Sequence, residues 1–298
     1  MTRIGPLCSL AVAAAMLMLA TGCGGERALT LEDVAQAATT SSEALTGRFT
    51  FAMDMTAPDG YETISFSGYG SFDTEARRSQ LSLDMSALAS FLAGLAPDSG
   101  DPASLSDPEL WKIEAVLDDL VMYMRFPLLA RLPGAPLGGK TWVKIDLERS
   151  ASMVGLDLDQ ITRFTSNDPR ESLRLLEAVS GGLQELGEEE VHGVDTTHYR
   201  TSVDLRKYEQ LVPASERERA MVDELVQQSG LETLPVEVWI DDESLIHRMT
   251  VALSQPDAGV GQGLNATVRF ELFDYGEPVA IAVPPPAETF DATTPAGG

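Results

Sequence analysis

The sequence predicts an α+β protein in which helices lie on one side of a large antiparallel sheet. Two observations carry this prediction. Apolar residues recur at every second position in successive short runs that are joined by turn signals. Between groups of these runs the apolar period lengthens to that of a helix. The helices are therefore inserted between hairpins instead of alternating with single strands, which argues against a parallel βαβ sheet. The runs amount to roughly ten strands with four or five helices.

Taken in order, Thr30 with Asp33 three residues on reads as a helix N-cap with a carboxylate near the positive end of the dipole. Leu31, Val34, Ala35 and Ala38 follow at helical spacing, predicting a helix over about 31 to 45 that Gly47 ends. From Arg48 the period becomes two, with Phe49, Phe51, Met53 and Met55 on one face. Pro58-Asp59-Gly60 turns this strand into a second with Ile64, Phe66 and Phe72, and Leu81, Leu83 and Met85 form a third. Residues 86 to 95 suit a short helix, and the Pro- and Gly-containing stretch from 96 to 108 a loop.

Trp111, Ile113, Ala115 and Leu117 alternate up to Asp118-Asp119, and the chain returns through Met122, Met124 and Phe126. Another strand follows the Pro/Gly-rich stretch 127 to 139, over Lys140 to Leu147. Helical patterns at about 148 to 155 and 169 to 179 precede strands at 183 to 191 and 194 to 204, which turn at His192-Gly193. A polar helix over about 213 to 229 leads to the last three strands, Leu234 to Ile240, Leu245 to Ser254 and Gly263 to Tyr275. Gly68-Tyr69-Gly70-Ser71 sits inside a strand pattern, where glycine marks a bulge or a close approach of backbone.

The N-terminus is of another kind. Arg3 is followed by an apolar run from Leu7 to Ala20, and small residues lead into Cys23. This is the layout of a cleaved secretory signal, and the run is too short for a permanent span, which takes about 20 apolar residues. The segment Leu19-Ala20-Thr21-Gly22-Cys23 resembles the lipobox of bacterial lipoproteins, although leucine stands one place earlier than in that pattern. The resemblance implies that Cys23 becomes the first residue of the mature chain and carries a diacylglyceryl group, with a further palmitate-type acyl chain. Two acyl chains anchor stably where one is marginal. The chain has two cysteines, and Cys8 leaves with the signal, so no disulfide forms within the mature protein. The domain expectation is a signal peptide over 1–22, a lipidated tether over 23–28, a single domain over 29–283 and a disordered low-complexity tail over 284–298. The location that follows is the extracytoplasmic face of the cell membrane.

Charge narrows the partners. Lys and Arg total 21 against 46 Asp and Glu, a formal net charge of -25. Nucleic acid needs a basic stripe and is excluded. Adhesion to anionic headgroups also takes clustered Lys or Arg, so membrane contact is left to the anchor. A search for chemistry finds no enzyme. Of His192, His198 and His247, the first two are six apart and could share a strand face, but a turn at Gly193 separates them and no cysteine completes a metal site, so all three read as satisfied or exposed histidines; Asp157 and Asp159 lack the glycine and distal glutamate of a calcium loop. Neither a G-x-S-x-G elbow nor a phosphate-cradling glycine loop is present. Asp118-Asp119, Asp241-Asp242-Glu243 and Glu188 to Glu190 read as hairpin turns or a solvated edge, and Asn265-Ala266-Thr267 as part of the last strand. No catalytic residue, metal or cofactor is assigned.

What remains is the apolar strand face. Met53, Met55, Met85, Met122, Met124 and Met249 fall on predicted strands. Methionine is not a favoured strand residue, and its flexible, polarisable side chain suits an adaptable apolar surface. On this ground alone the face admits two readings, a ligand cavity or a filled core.

Four phrases then carry a family resemblance: Val121-Met122-Tyr123-Met124-Arg125, Gly139 to Leu147 (GKTWVKIDL), Val191 to Tyr199 (VHGVDTTHY) and Leu234 to Asp241 (LPVEVWID). In order and spacing they resemble the actinobacterial lipoproteins of the LolA/LppX/LprG-like superfamily, over about 29 to 280. The resemblance implies a curved antiparallel half-barrel of about ten strands whose concave apolar face is covered by helices. It also implies a cavity for the acyl chains of a lipid or glycolipid that the protein carries without catalysis. The candidate lining is Phe49, Phe51, Met53, Met55, Ile64, Phe66, Leu81, Leu83, Met85, Met122, Met124, Val236, Val238, Met249 and Val251. The alternative is a membrane-anchored module with a filled core that binds a protein partner of unknown kind.

Overall fold

The computed structural model describes residues 29–56, 63–89, 107–131, 137–154, 170–211, 232–255 and 264–293. The expected signal peptide, Cys23 and the expected tether lie outside these residues, as do the predicted helix at 213 to 229 and most of the loop at 96 to 108. Among the described residues no helix is long and apolar enough to cross a membrane.

Among the described residues twelve strands form one open, curved sheet, two more than the alternation predicts. The first six are β1 (Thr46–Thr56), β2 (Ile64–Asp73), β3 (Arg78–Asp84), β4 (Lys112–Asp118), β5 (Val121–Arg125) and β6 (Trp142–Asp146). The rest are β7 (Val179–Val191), β8 (Val194–Asp204), β9 (Thr233–Ile240), β10 (Ile246–Gln255), β11 (Leu264–Phe273) and β12 (Thr289–Asp291). Their spatial order is β12-β6-β5-β4-β3-β2-β1-β11-β10-β9-β8-β7. Two antiparallel meanders, β1 to β6 and β7 to β11, thus join side by side through β1 and β11.

Helices lie on one face of the second meander. Helix α1 (Leu31–Ser42) opens with the expected capping box, in which Asp33 N donates to Thr30 Oγ1 at 3.3 Å and Thr30 N to Asp33 Oδ2 at 2.7 Å. Its buried stripe, Val34, Ala37 and Ala38, packs with Leu173, Leu176 and Leu205 from later helical turns onto Val203, Val236, Val238, Ile246, Met249 and Leu272. Ser41 ties helix to sheet, its hydroxyl accepting from Ile246 N at 2.8 Å where the β9–β10 register shifts. Arg170 closes the other end, donating to the carbonyls of Ser42 at 3.0 Å and Ala44 at 2.6 Å. These bonds satisfy carbonyls that a helix end otherwise leaves open.

Four sequence expectations need correction. Gly47 does not end α1, which stops at Ser42; it lies in β1, where a Cβ would come within 2.8 Å of Phe72 Cζ. Trp111 belongs to a one-turn helix, Pro108–Trp111, because Asp107 caps it with Pro108 in the first helical position. The sheet is not wholly antiparallel, since β12 runs parallel to β6. That same strand contradicts a disordered tail beginning at 284. Pro284-Pro285-Pro286 leads into a short helical turn, and Thr289–Asp291 then satisfies its backbone on the free edge of β6. Lys140 Nζ donates to Thr289 O at 2.7 Å, and Asp146 N to the buried Thr293 hydroxyl at 2.9 Å. The opposite edge, β7, is exposed over most of its length, carries Glu185, Glu188, Glu189 and Glu190, and has register shifts on either side of Gln184-Glu185. Charge and bulges of this kind discourage another chain from adding to an edge.

Candidate functional site

Register decides which side each strand residue faces. Phe49, Phe51, Met53 and Met55 of β1 stand opposite Leu272, Phe270, Val268 and Ala266 of β11, and opposite Gly70, Gly68, Phe66 and Ile64 of β2. The row through Gly70 continues to Leu81, Ala115, Met124 and Val143, and that through Gly68 to Leu83. In the other direction Phe270 meets Met249 and then Val238, while Val268 meets Val251 and then Val236. Met122 and Met85 keep the same alternation on β5 and beyond the end of β3. The fourteen candidates that lie in strands therefore share one face of the sheet, and Met85 follows the last residue of β3.

The face is not uniform along its width. Val236, Val238 and Met249 are 0% exposed, Phe49 3% and Val251 6%, because α1 and the turns around Leu173 to Ala178 seal them into the core. These five are packing residues of a filled core and not the wall of a cavity. The other ten, from Phe51 on β1 across to Met122 and Met124 on β5, are half-buried. Phe51 keeps a tilted ring contact with Phe270 at 5.1 Å.

The opposite face is polar, and over β7 to β11 it is internally paired. Trp239 lies between His198, stacked at 3.9 Å, and the Arg248 guanidinium at 5.0 Å. Its indole N–H donates to Glu189 Oε2 at 2.8 Å. Arg248 bridges Glu189 and Glu271, at 2.8 and 2.7 Å. Each histidine finds a carboxylate: His192 with Glu271 at 2.8 Å, His198 with Glu237 at 3.1 Å, and His247 with Asp241 at 2.7 Å. None of these partners is near its histidine in sequence except Asp241. The signal that could have found them is strand register, which places His198 beside Trp239 and Arg248 beside Glu271. Asp241 also accepts the N–H groups of Glu243 and Leu245 at 2.9 and 2.8 Å, which makes the acidic run there a turn, as the sequence suggests. Among the described residues no group of three or more His, Cys, Asp or Glu could hold a metal ion.

The pairings set the protonation of this face. Burial pushes Glu271 up, but hydrogen bonds from Arg248 and His192 outweigh it and hold the carboxyl below its ordinary range. The Trp239 and Arg248 hydrogen bonds lower Glu189 in the same way. A depressed carboxyl contributes stability that is present above its unfolded value of about 4.3 and is lost as pH falls through the folded value. The denaturation midpoint should accordingly drop below about pH 4. Arg248→Met should lower the midpoint at pH 7 and flatten the loss below about pH 4; an unchanged acid slope would remove Arg248 from this account.

No family model matches the chain. One curated relative is an uncharacterized 31.2 kDa protein from the rplA-rplJ intergenic region of Streptomyces griseus, 27% identical over 159 residues, which is 53% of this chain and 50% of that protein. The chain thus spans about half the length of the curated relative it matches. Among solved structures it is similar to LprF from Mycobacterium bovis, at 14% identity with a TM-score of 0.43, covering 85% of this chain and 96% of that one. It is similar to the same degree to the lipoprotein LppX of Mycobacterium tuberculosis, at 14% identity and a TM-score of 0.42, covering 85% and 97%.

Proposed function

We propose that this chain is an anchored envelope lipoprotein that carries a lipid, with the acyl chains laid along the half-buried part of the apolar sheet face. The observation that carries this reading is the division of that face. One part is sealed by helices, whereas nine in-register apolar side chains over β1 to β5, and Met85 just beyond β3, remain partly accessible. A filled-core module has no use for so wide an incompletely covered apolar strip. Each acyl methylene moved from water onto it gains about 0.8 kcal/mol, so affinity grows with chain length and needs few polar contacts. Five of the ten are methionines, Met53, Met55, Met85, Met122 and Met124, which lets the surface adapt to chains of different shape. Cys23 holds the carrier at the extracytoplasmic face of the membrane that supplies its cargo.

Native mass spectrometry of the full chain purified from its own membranes tests both parts. A covalent diacylglyceryl mass on Cys23 supports the anchor, and an additional non-covalent lipid mass supports the carrier. Protein that is consistently free of non-covalent lipid and takes none up from mixed micelles would leave the filled-core, partner-binding module in its place.

A further inference from the structure

The polar face holds a second built surface, over the half of the sheet that the His198–Trp239–Arg248 network does not fill. A cleft of about 610 Å³ lies across β11 and β1 to β5. Register arranges all of its lining except Phe51, Gly68 and Glu109 in two neighbouring rows that run across the strands. In the first, Glu271, Thr50, Tyr69, Ser82, Glu114 and Arg125 each stand directly opposite the next. In the second, Arg269, Ala52, Ser67, Asp84 and Lys112 do the same. Neighbouring strands are about 4.8 Å apart, so the first row repeats a side chain at that interval over roughly 24 Å.

The rows have a floor and a standing ring. Thr50, Ala52, Ser67 and Ser82 are short, and between two of them Tyr69 is 66% exposed. With only a threonine and a serine beside it in its row, that ring is open to whatever lies in the cleft. Its charge also sets it apart from the rest of a chain with 46 acidic and 21 basic residues. Four carboxylates, on Asp84, Glu109, Glu114 and Glu271, face three cations, on Lys112, Arg125 and Arg269. Glu114 pairs with Arg125, Glu109 with Lys112, and Glu271 with Arg248. That leaves Asp84, which accepts the Ser86 N–H at 2.9 Å, and Arg269, two groups of opposite sign. With four carboxylates against three cations the lining carries a net charge of only -1, so the cleft offers many donors and acceptors but little field for a phosphate, a polyanion or a polycation.

A ligand that matches these features is uncharged, extended, dense in hydroxyls, and has apolar C–H faces for an aromatic ring. We propose that the cleft binds a neutral saccharide chain laid across the strands, with a sugar face on Tyr69 and hydroxyls on Asp84, Arg269 and the serine and threonine floor. A hexose repeat in an extended glycan is close to the spacing between strands, so successive sugars meet successive positions of the rows. Because the cleft is on the face opposite the acyl strip, this binding stands or falls separately from lipid carriage. The sugar can be a free polysaccharide or the headgroup of a glycolipid, and the test separates the two.

The test is affinity electrophoresis of the full chain, in a detergent without a sugar headgroup, through gels containing dextran, galactomannan, arabinogalactan or hyaluronate. At least one of the three neutral glycans should retard it, and more strongly than the anionic hyaluronate does. Tyr69→Ala and Arg269→Ala should each weaken retardation at least tenfold with the denaturation midpoint unchanged, since both side chains are exposed. Calorimetric titration with digalactosyldiacylglycerol in the same micelles forms the second arm. Tyr69-dependent binding there, without retardation by free glycans, assigns a headgroup; retardation by free glycans assigns a polysaccharide. The proposal is overturned if neither arm shows binding, if hyaluronate binds more tightly than every neutral glycan, or if both variants bind as the wild type does.

Discussion

Valine at Gly70 should destabilise the fold by about 3 kcal/mol or more, the upper end of what overpacking costs in a closed interior. A Cβ built at Gly70 meets the carbonyl oxygen of Gln80 at 2.1 Å and Phe49 Cζ at 2.4 Å. The first contact is with backbone of the neighbouring strand, so no rotamer change relieves it. The second is with a ring that is 3% exposed and held from above by the helical layer. Either β2 and β3 separate and lose ladder bonds, or Phe49 leaves the core. For a domain of this size the melting temperature should fall by roughly 6 to 12 °C. Gly182→Ala is the control, because a Cβ there meets nothing within 4 Å. An unchanged midpoint for Gly70→Val would mean that Phe49 does not lie over that glycine.

Aspartate at both Met122 and Met124 should reduce lipid uptake at least tenfold while leaving the protein folded. The two side chains are half-buried neighbours on the open side of the apolar face, opposite Leu117 and Ala115. Displacing only two acyl methylenes costs about 1.6 kcal/mol, which already exceeds a factor of ten in affinity. Aspartate at Met249 should behave differently. That residue is 0% exposed beneath α1, and an unpaired carboxylate there should unfold the domain rather than empty a site. Uptake of a fluorescent fatty acid and the denaturation midpoint, measured together, separate the two cases. If the Met122/Met124 variant keeps its uptake and loses stability, the open strip is core.

Much of this architecture is local in origin and could be read from the chain. The Thr30–Asp33 capping box, the alternation from Phe49 to Met55 and the turn at Asp241 depend on residues a few places apart. Alternation also decides the side on which Met122 or Val238 stands, which is why the candidate residues share a face. It says nothing of what covers them. Val238 and Met124 look alike in sequence, yet one lies beneath α1 and the other does not, and that distinction depends on where the helical layer docks. The β12 strand was illegible for a related reason, since Thr289–Asp291 is three residues long, too short to show an alternation, and its pairing depends on the free edge of β6. The histidine partners and the Tyr69 cleft exist only through register, which no single strand encodes.

Pairing β1 with β11 also has a kinetic consequence. Each meander can assemble from neighbouring hairpins, but the seam that unites them brings together groups such as Arg48 and Asp274, which bond at 2.5 Å across 226 positions of chain. Closing a loop of that length is slow and is rewarded only at the end. The first meander therefore waits with β1 unpaired on one side until the last strands arrive. During that interval the molecule is most exposed to pairing with the wrong chain.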